Sequence, residues 1–245
     1  LADTYRKIAQ EGTPWFYRGA FAELAGQWMK ANGGIMTAID FANYKSVNRK
    51  PVRSKYRDFE IYGFPPPSSG GVHVAQVLNI LEQFELADMY RSDRAGFYHV
   101  VAEAMKLAFA DRAFWLGDPD YVEVPLGLVE KSYAKELASK IKMNSALTTD
   151  HGMPPNAATE FFERHTTHVA AADSEGNWVA LTTTVNTTFG AKYVIPGTGV
   201  IMNNQMDDFV AFPGKPNVFG LVGGENNAVA SGKRPLSSMS PTIVL

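Results

Sequence analysis

Apolar residues recur at helical spacing as far as residue 142, periodicity disappears between Asn144 and Arg164, and a Val- and Thr-rich strand pattern takes over at Thr167. A chain that changes its repeat in this way keeps helices and sheet in separate stretches. Helices are expected at Ala2–Gln10, at Ala20–Ala31 before Asn32-Gly33-Gly34, and from Thr37, where Thr-x-x-Asp resembles a capping box. Val72–Phe84 (Val74, Val77, Leu78, Leu81), Gly96–Phe114 (Val100, Val101, Met105, Leu107) and residues 131–142 continue the series. Tyr56–Tyr62 alternates enough to be a strand. It runs into Pro65-Pro66-Pro67-Ser68-Ser69-Gly70-Gly71, a rigid turn with no catalytic role assigned to it.

Beyond the connector, Thr167–Ala172 and Trp178–Val185 flank Asp173-Ser174-Glu175-Gly176-Asn177 and predict a hairpin. Shorter strands are expected at Tyr193–Ile195 and Val200–Met202, and Pro213–Gly232 reads as a long loop too apolar to be a plain linker.

The 245 residues, 45% hydrophobic, suffice for one or two domains. A net charge of -2 gives no reason to expect a nucleic-acid or anionic-membrane partner, and small ligands fit better. Neither a membrane-length apolar run nor a signal peptide is visible. With no Cys, nucleophilic chemistry falls to Ser or Thr. His165 and His168 fall on opposite faces of extended chain with no Cys or acidic neighbour to complete a ligand set, so no metal site is expected.

An exposed connector that ends at Thr166 just before a strand suits a self-processing threonine hydrolase. A Thr freed at a new N-terminus carries its own base, an α-amino group of pKa about 7.7–8.0. Read locally, Thr166-Thr167 is β-propensity, Asp207-Asp208 a solvated turn, and Ser237-Ser238 loop-capping hydroxyls beside Pro235 and Pro241. The Asn186-Thr187-Thr188 sequon reads as coincidence.

Longer motifs point further. Thr166-Thr-His168, Gly176-Asn177, Asn186-Thr-Thr-Phe-Gly190, Asn203-Asn-Gln-Met-Asp-Asp-Phe209, Pro213-Gly214 and Lys233-Arg-Pro-Leu-Ser-Ser-Met-Ser-Pro241 occur in this order. Together they resemble the γ-glutamyltranspeptidase small subunit. Phe16-Tyr17-Arg-Gly19, Asn32-Gly33-Gly34, Pro65–Gly71, Ala110-Asp111-Arg112 and Leu116-Gly-Asp-Pro119 are similar to the end of its large subunit, so the likeness spans the chain.

That resemblance implies an α+β fold, a four-layer αββα sandwich of the N-terminal-nucleophile type that this chain would carry in part. Residues 1–165 would be the mostly helical end of the large subunit and 166–245 the β-rich start of the small one, divided by self-cleavage between His165 and Thr166. Thr166 would be the nucleophile, with Thr184 bonded to its hydroxyl. Asn186, Gln205 and Asp208 would hold the α-amino group of a γ-glutamyl substrate such as glutathione, and Ser237 and Ser238 its α-carboxylate. Water, amino acids or dipeptides would accept the acyl group, and no cofactor is implied.

Pro213–Gly224 would be a lid, with Phe219 where lidded members commonly place Tyr, so hydrolysis would compete better with transfer. The family's oxyanion Gly-Gly pair and carboxylate-binding Arg would lie outside these residues, and Gly223-Gly224 is not that pair. Related acylases, poly-γ-glutamate and oxamate enzymes, or a non-catalytic fragment, are the alternative readings. Family habit points to the periplasm, the exterior or the cell surface.

Overall fold

A computed structural model describes residues 1–149 and 166–245. The expected cleavage residue His165 and the connector from residue 150 onward lie outside the described residues. Helices and sheets are both present, and the described residues pack as two units. The first comprises Leu1–Asn48, Thr166 and Thr184–Asn204; the second comprises residues 49–149, Thr167–Thr183 and Gln205–Leu245.

In the first unit, α1 (Ala2–Glu11), α2 (Thr13–Tyr17), α3 (Ala20–Ala31) and α4 (Ala38–Asn43) follow in series. Helix α3 keeps its expected limits, and α4 starts on the expected capping box: the Thr37 N–H donates to Asp40 Oδ2 at 2.7 Å. Phe21 and Ala25 meet Ile195 in a fully buried cluster, with Phe16 stacked on Phe21 at 4.0 Å and Trp28 on Tyr193 at 4.5 Å.

The strands expected at Tyr193–Ile195 and Val200–Met202 shrink to one bridge, Val194 to Ile201. Gly197 and Gly199 have φ of 78° and 68°, which turns the chain too tightly for a ladder. The Thr198 hydroxyl donates to the Ile195 carbonyl at 2.7 Å and accepts the Val200 N–H at 3.1 Å, replacing bonds that a longer ladder would make.

In the second unit, β1 (Val52–Tyr56) and β2 (Phe59–Gly63) form an antiparallel hairpin where one strand over Tyr56–Tyr62 was expected. The turn is Arg57-Asp58. Arg57 has φ of 54° and its N–H donates to Glu82 Oε1 at 2.8 Å, so a bond to distant chain fixes a conformation that local alternation conceals.

Helix α5 (Gly70–Leu81) begins two residues before the expected Val72 because glycine lets its first turn press on backbone: a Cβ on Gly71 would stand 2.4 Å from the Phe64 carbonyl oxygen, and one on Gly70 2.3 Å from that of Met239. After α6 (Leu86–Ser92), α7 (Arg94–Trp115) starts at Asp93, whose carboxylate accepts the Gly96 N–H at 2.9 Å. Helix α8 (Lys131–Lys140) packs with α5 and α7 around Ile80, Val100, Ala104, Leu107, Ala134 and Leu137. Leu147 joins this cluster and its N–H bonds to Glu103 at 2.9 Å, so the connector begins docked rather than exposed.

Strands β3 (Thr166–Ala172) and β4 (Trp178–Thr184) form the expected two-stranded ribbon, closed by the Asp173 N–H donating to the Asn177 carbonyl at 3.1 Å. Finally β5 (Thr242–Val244), too short to stand out in the sequence, pairs antiparallel with β2 and places Val244 opposite Ile61. No helix among the described residues is long and apolar enough to cross a membrane.

Ile80 is 0% exposed, whereas Ile39 on α4 is 68% exposed. Ile80→Ala should cost about 2–5 kcal/mol in urea unfolding of the full-length protein, against less than about 0.5 kcal/mol for Ile39→Ala. Equal small losses would mean that the α5–α7–α8 core is not packed as described.

Candidate active site

The first unit brings together Thr166, Thr184 and Asn186. Thr166 opens β3 and Thr184 ends β4, so the ribbon's register sets them opposite one another, and the Thr166 hydroxyl donates to Thr184 Oγ1 at 3.1 Å. The same oxygen accepts the Asn186 N–H at 2.9 Å. Asn186 sits at φ 82°, a left-handed conformation that Asn tolerates, and its amide donates to the Asn204 carbonyl at 3.2 Å. Asn204 in turn accepts the Thr187 N–H on its side-chain oxygen at 3.1 Å. A small, exposed hydroxyl is therefore held at the ribbon's open end by a second hydroxyl, which is itself fixed by backbone.

The second unit holds Gln205, Asp208, Phe219, Ser237 and Ser238. Gln205 and Asp208 lie on one 3-10 turn; Asp207 is exposed, as a solvated turn would have it, but Asp208 is only 8% exposed and departs from that local reading. Asn227 ties this turn to the serines: its amide donates to the Asp208 carbonyl at 2.8 Å and its oxygen accepts the Leu236 N–H at 3.0 Å. Leu236 is buried with Val72, Leu116 and Leu128, which anchors the two residues that follow it.

Ser237 runs beside the start of α5. Its N–H donates to the Pro67 carbonyl and its carbonyl accepts the Ser69 N–H, both at 2.9 Å, while its hydroxyl donates to Ser68 Oγ at 2.9 Å. The Pro65–Gly71 turn thus forms the backing of the serine pair, a role its sequence did not announce.

Arg112 on α7, 4% exposed, donates from Nη2 to Ser238 Oγ at 3.3 Å and to the Leu236 carbonyl at 3.4 Å, and from Nε to Ser69 Oγ at 3.2 Å. Burial pushes its guanidinium down to about 10 while the Asp208 carboxylate opposes the fall. Fully buried Asp118, paired with Arg49 at 3.3 Å, accepts the Arg234 N–H at 2.8 Å and steadies the chain leading to Leu236. Ser68, Ser69, Arg112, Asp118 and Asn227 were all missed as site residues. For four of them the available signal was membership of the Pro65–Gly71, Ala110–Arg112 and Leu116–Pro119 motifs; Asn227 had none.

Residues Pro213–Gly224 close on themselves. Asn217 Oδ1 accepts the N–H groups of Phe219 and Leu221, each at 3.0 Å, Pro216 bridges Val222, and the Gly214 N–H reaches the Gly223 carbonyl at 3.1 Å. The half-buried Phe219 is part of this turn. Beside it a concave cleft of about 260 Å³ is lined by Met206, Asp207, Phe209, Phe212, Lys215 and Val218 among others.

The fold is α+β of the N-terminal-nucleophile hydrolase type: over 99% of this chain and 41% of the other, the structure is similar to cephalosporin acylase from Bacillus halodurans, with a TM-score of 0.79 at 28% identity. The sequence pattern that defines the Gamma-glutamyltranspeptidase family matches residues 1–245, and the chain belongs to that family. It is 48% identical over 246 residues to a glutathione hydrolase proenzyme of Escherichia coli (strain K12), covering 100% of this chain and 42% of that protein. It is also 41% identical over 246 residues to the acylase ACY 1 proenzyme of Pseudomonas sp. (strain SE83), covering 100% of this chain and 41% of that one. The chain thus spans about two-fifths of the length of these relatives.

His73 on α5 adds a pH dependence. Its Nε2 must carry a hydrogen to bond the Ala108 carbonyl at 3.0 Å, and burial, together with the nearby Arg112 charge, lowers its pKa from 6.5 to about 4. Between those values the unfolded chain holds a proton that the folded one lacks, so this contribution to stability is complete above 6.5 and lost as pH falls toward 4. Urea unfolding at pH 7 and pH 5 should show a smaller acid loss for His73→Gln than for wild type; an identical loss in both would remove His73 from the account.

Proposed function

We propose that this chain carries the nucleophile and the γ-glutamyl-binding groups of an enzyme that cleaves γ-glutamyl amides such as glutathione. The observation that carries the reading is the Thr166 hydroxyl held by Thr184 at the head of β3, within a chain of the γ-glutamyltranspeptidase family. Cleavage of the His165–Thr166 bond would divide a precursor into a large subunit ending in residues 1–165 and a small subunit beginning with residues 166–245. It would also free the Thr166 α-amine to act as base.

Thr166 Oγ1 then attacks the γ-carbonyl and its proton passes to the α-amine. The C–N bond breaks as that proton moves to the departing amine, which leaves a γ-glutamyl ester on Thr166. Water, an amino acid or a dipeptide attacks the ester and restores the hydroxyl. Thr184, fixed by the Asn186 N–H at 2.9 Å, keeps the nucleophile in one orientation. Asn186, Gln205 and Asp208 would bind the substrate's α-ammonium, and Ser237 and Ser238 its α-carboxylate. Pro213–Gly224 would cover the site, with Phe219 closing it without a hydroxyl latch. The enzyme would act in the periplasm, outside the cell or on its surface.

The likeness to cephalosporin acylase and to the ACY 1 acylase favours a second reading, in which the same nucleophile acts on another acyl group. Asp208, only 8% exposed, argues against it, because its negative charge attracts a ligand that bears an ammonium and gains nothing from one that has none.

Intact mass of the full-length protein tests the nucleophile: wild type should separate into two pieces at His165–Thr166 and Thr166→Ala should stay whole. An uncleaved wild type, or a cleaved mutant, sinks the assignment. In the cleaved wild type γ-glutamyl-p-nitroanilide should be preferred to glutaryl-p-nitroanilide, and Asp208→Asn should reduce that preference by about tenfold or more. Preference for the glutaryl compound would instead support the acylase reading.

A further inference from the structure

Of the groups around the serine pair, Arg112 is the one whose chemistry dictates what its neighbours do. A guanidinium only donates, so every oxygen it touches must accept. Ser238 Oγ, at 3.3 Å from Nη2, therefore spends a lone pair on Arg112 and keeps its own hydrogen for another acceptor. Ser238 is exposed, so that hydrogen is available to a ligand, and an acceptor-only group such as a carboxylate fits it.

The same one-way logic runs through Ser69. Its hydroxyl accepts from Arg112 Nε at 3.2 Å and passes its hydrogen to the Ser237 carbonyl at 3.1 Å, which fixes the peptide that carries both serines. Arg112 reaches the Leu236 carbonyl as well, so three of its bonds converge on residues 236–238 and their backing. A guanidinium 4% exposed keeps its charge at neutral pH with a pKa of about 10, helped by Asp208.

We propose that Arg112 is a positioning residue for substrate selection: it turns the Ser238 hydroxyl into an outward-facing donor, and so sets the preference for acyl groups that bear an α-carboxylate. This rests on the γ-glutamyl reading above. Arg112 touches no reacting atom. It acts through Ser238, through the Ser69–Ser237 chain and, by its charge, on Asp208.

The test uses the full-length, self-cleaved enzyme and two anilides that differ only in the α-carboxylate, γ-glutamyl-p-nitroanilide and 4-aminobutyryl-p-nitroanilide. Arg112→Lys keeps a charge but loses the fork. It should raise KM for the γ-glutamyl anilide about 10- to 100-fold, lower kcat far less, and leave kcat/KM for the 4-aminobutyryl anilide within about threefold of wild type. Arg112→Met, which also removes the charge beside Asp208, should lose more than Arg112→Lys on both anilides and still lose most on the γ-glutamyl one. In a double-mutant cycle, Arg112→Lys should add little once Ser238→Ala is present.

Equal losses on both anilides, or full additivity with Ser238→Ala, would overturn the proposal in favour of a general structural role. If the Arg112 variants fail to fold, Ser69→Ala, which frees the same guanidinium on one side, carries the same expectation and the same refutation. A wild type that cleaves itself but turns over neither anilide would refute the γ-glutamyl reading itself, and the proposal with it. A wild type active on γ-glutamyl anilide with an unshifted preference in the variants would refute only Arg112.

Discussion

The backbone of residues 236–239 lying against the first turn of α5 is the contact on which the second unit's candidate residues depend. Two backbone bonds of 2.9 Å join Ser237 to Pro67 and Ser69, and the Ser68 hydroxyl reaches the Met239 carbonyl at 2.6 Å. This approach is close enough that a Cβ on Gly70 would overlap the Met239 carbonyl, so the glycine is a steric requirement of the contact and not merely a flexible residue. Leu236 seals one side among Val72, Leu116 and Leu128, and Asp118 holds the approach through the Arg234 N–H. Backbone bonds made in a dry interior are costly to break, since each loosened group would be left without water. The serines thus sit on one of the stiffer parts of the unit, which is what a site that must hold a small charged ligand requires.

Charge is arranged as economically. Arg112 and Asp208 are both nearly buried in the same unit, and each lowers the cost of keeping the other ionised. His73, close enough to feel the guanidinium, stays neutral and takes the Ala108 carbonyl instead. The result is a positive group behind Ser238 and a carboxylate at Asp208. Under the proposed function those are the two polarities that an α-amino acid head presents in reverse.

How much of this was legible follows from the range of the interactions involved. Helix α3 and the capping box at Thr37 came through because spacing and caps are local, and the β3–β4 ribbon because Val and Thr flank a Gly-Asn turn. The β1–β2 hairpin was read as a single strand because its turn depends on Glu82, 25 residues away. The Val194 and Ile201 segments failed as strands because Gly197 and Gly199 turn the chain tightly between them and the Thr198 hydroxyl takes bonds that a ladder would use.

Within the site, family motifs named Thr166, Thr184, Asn186, Asp208 and the serines, yet gave no work to Ser68, Ser69, Arg112 or Asn227. Arg112 meets Leu236 across 124 residues, and on α7 it occupies a position where a lone Arg reads as one more charge on a helix. No periodicity encodes a partner at that distance.

The loop from Pro213 to Gly224 is organised from within. Asn217 takes two N–H groups on one side-chain oxygen while its own N–H donates to the Leu221 carbonyl at 2.9 Å. Phe219 is then presented by a turn that its own backbone and Asn217 already close. The loop's downstream end, Gly224, donates its N–H to the Ala113 carbonyl at 2.7 Å and accepts the N–H of Asn227, the residue that joins Asp208 to Leu236, at 3.1 Å. The Pro213–Gly224 segment, the Asp208 turn and the chain entering the serine pair therefore all hydrogen-bond to one buried residue, Asn227.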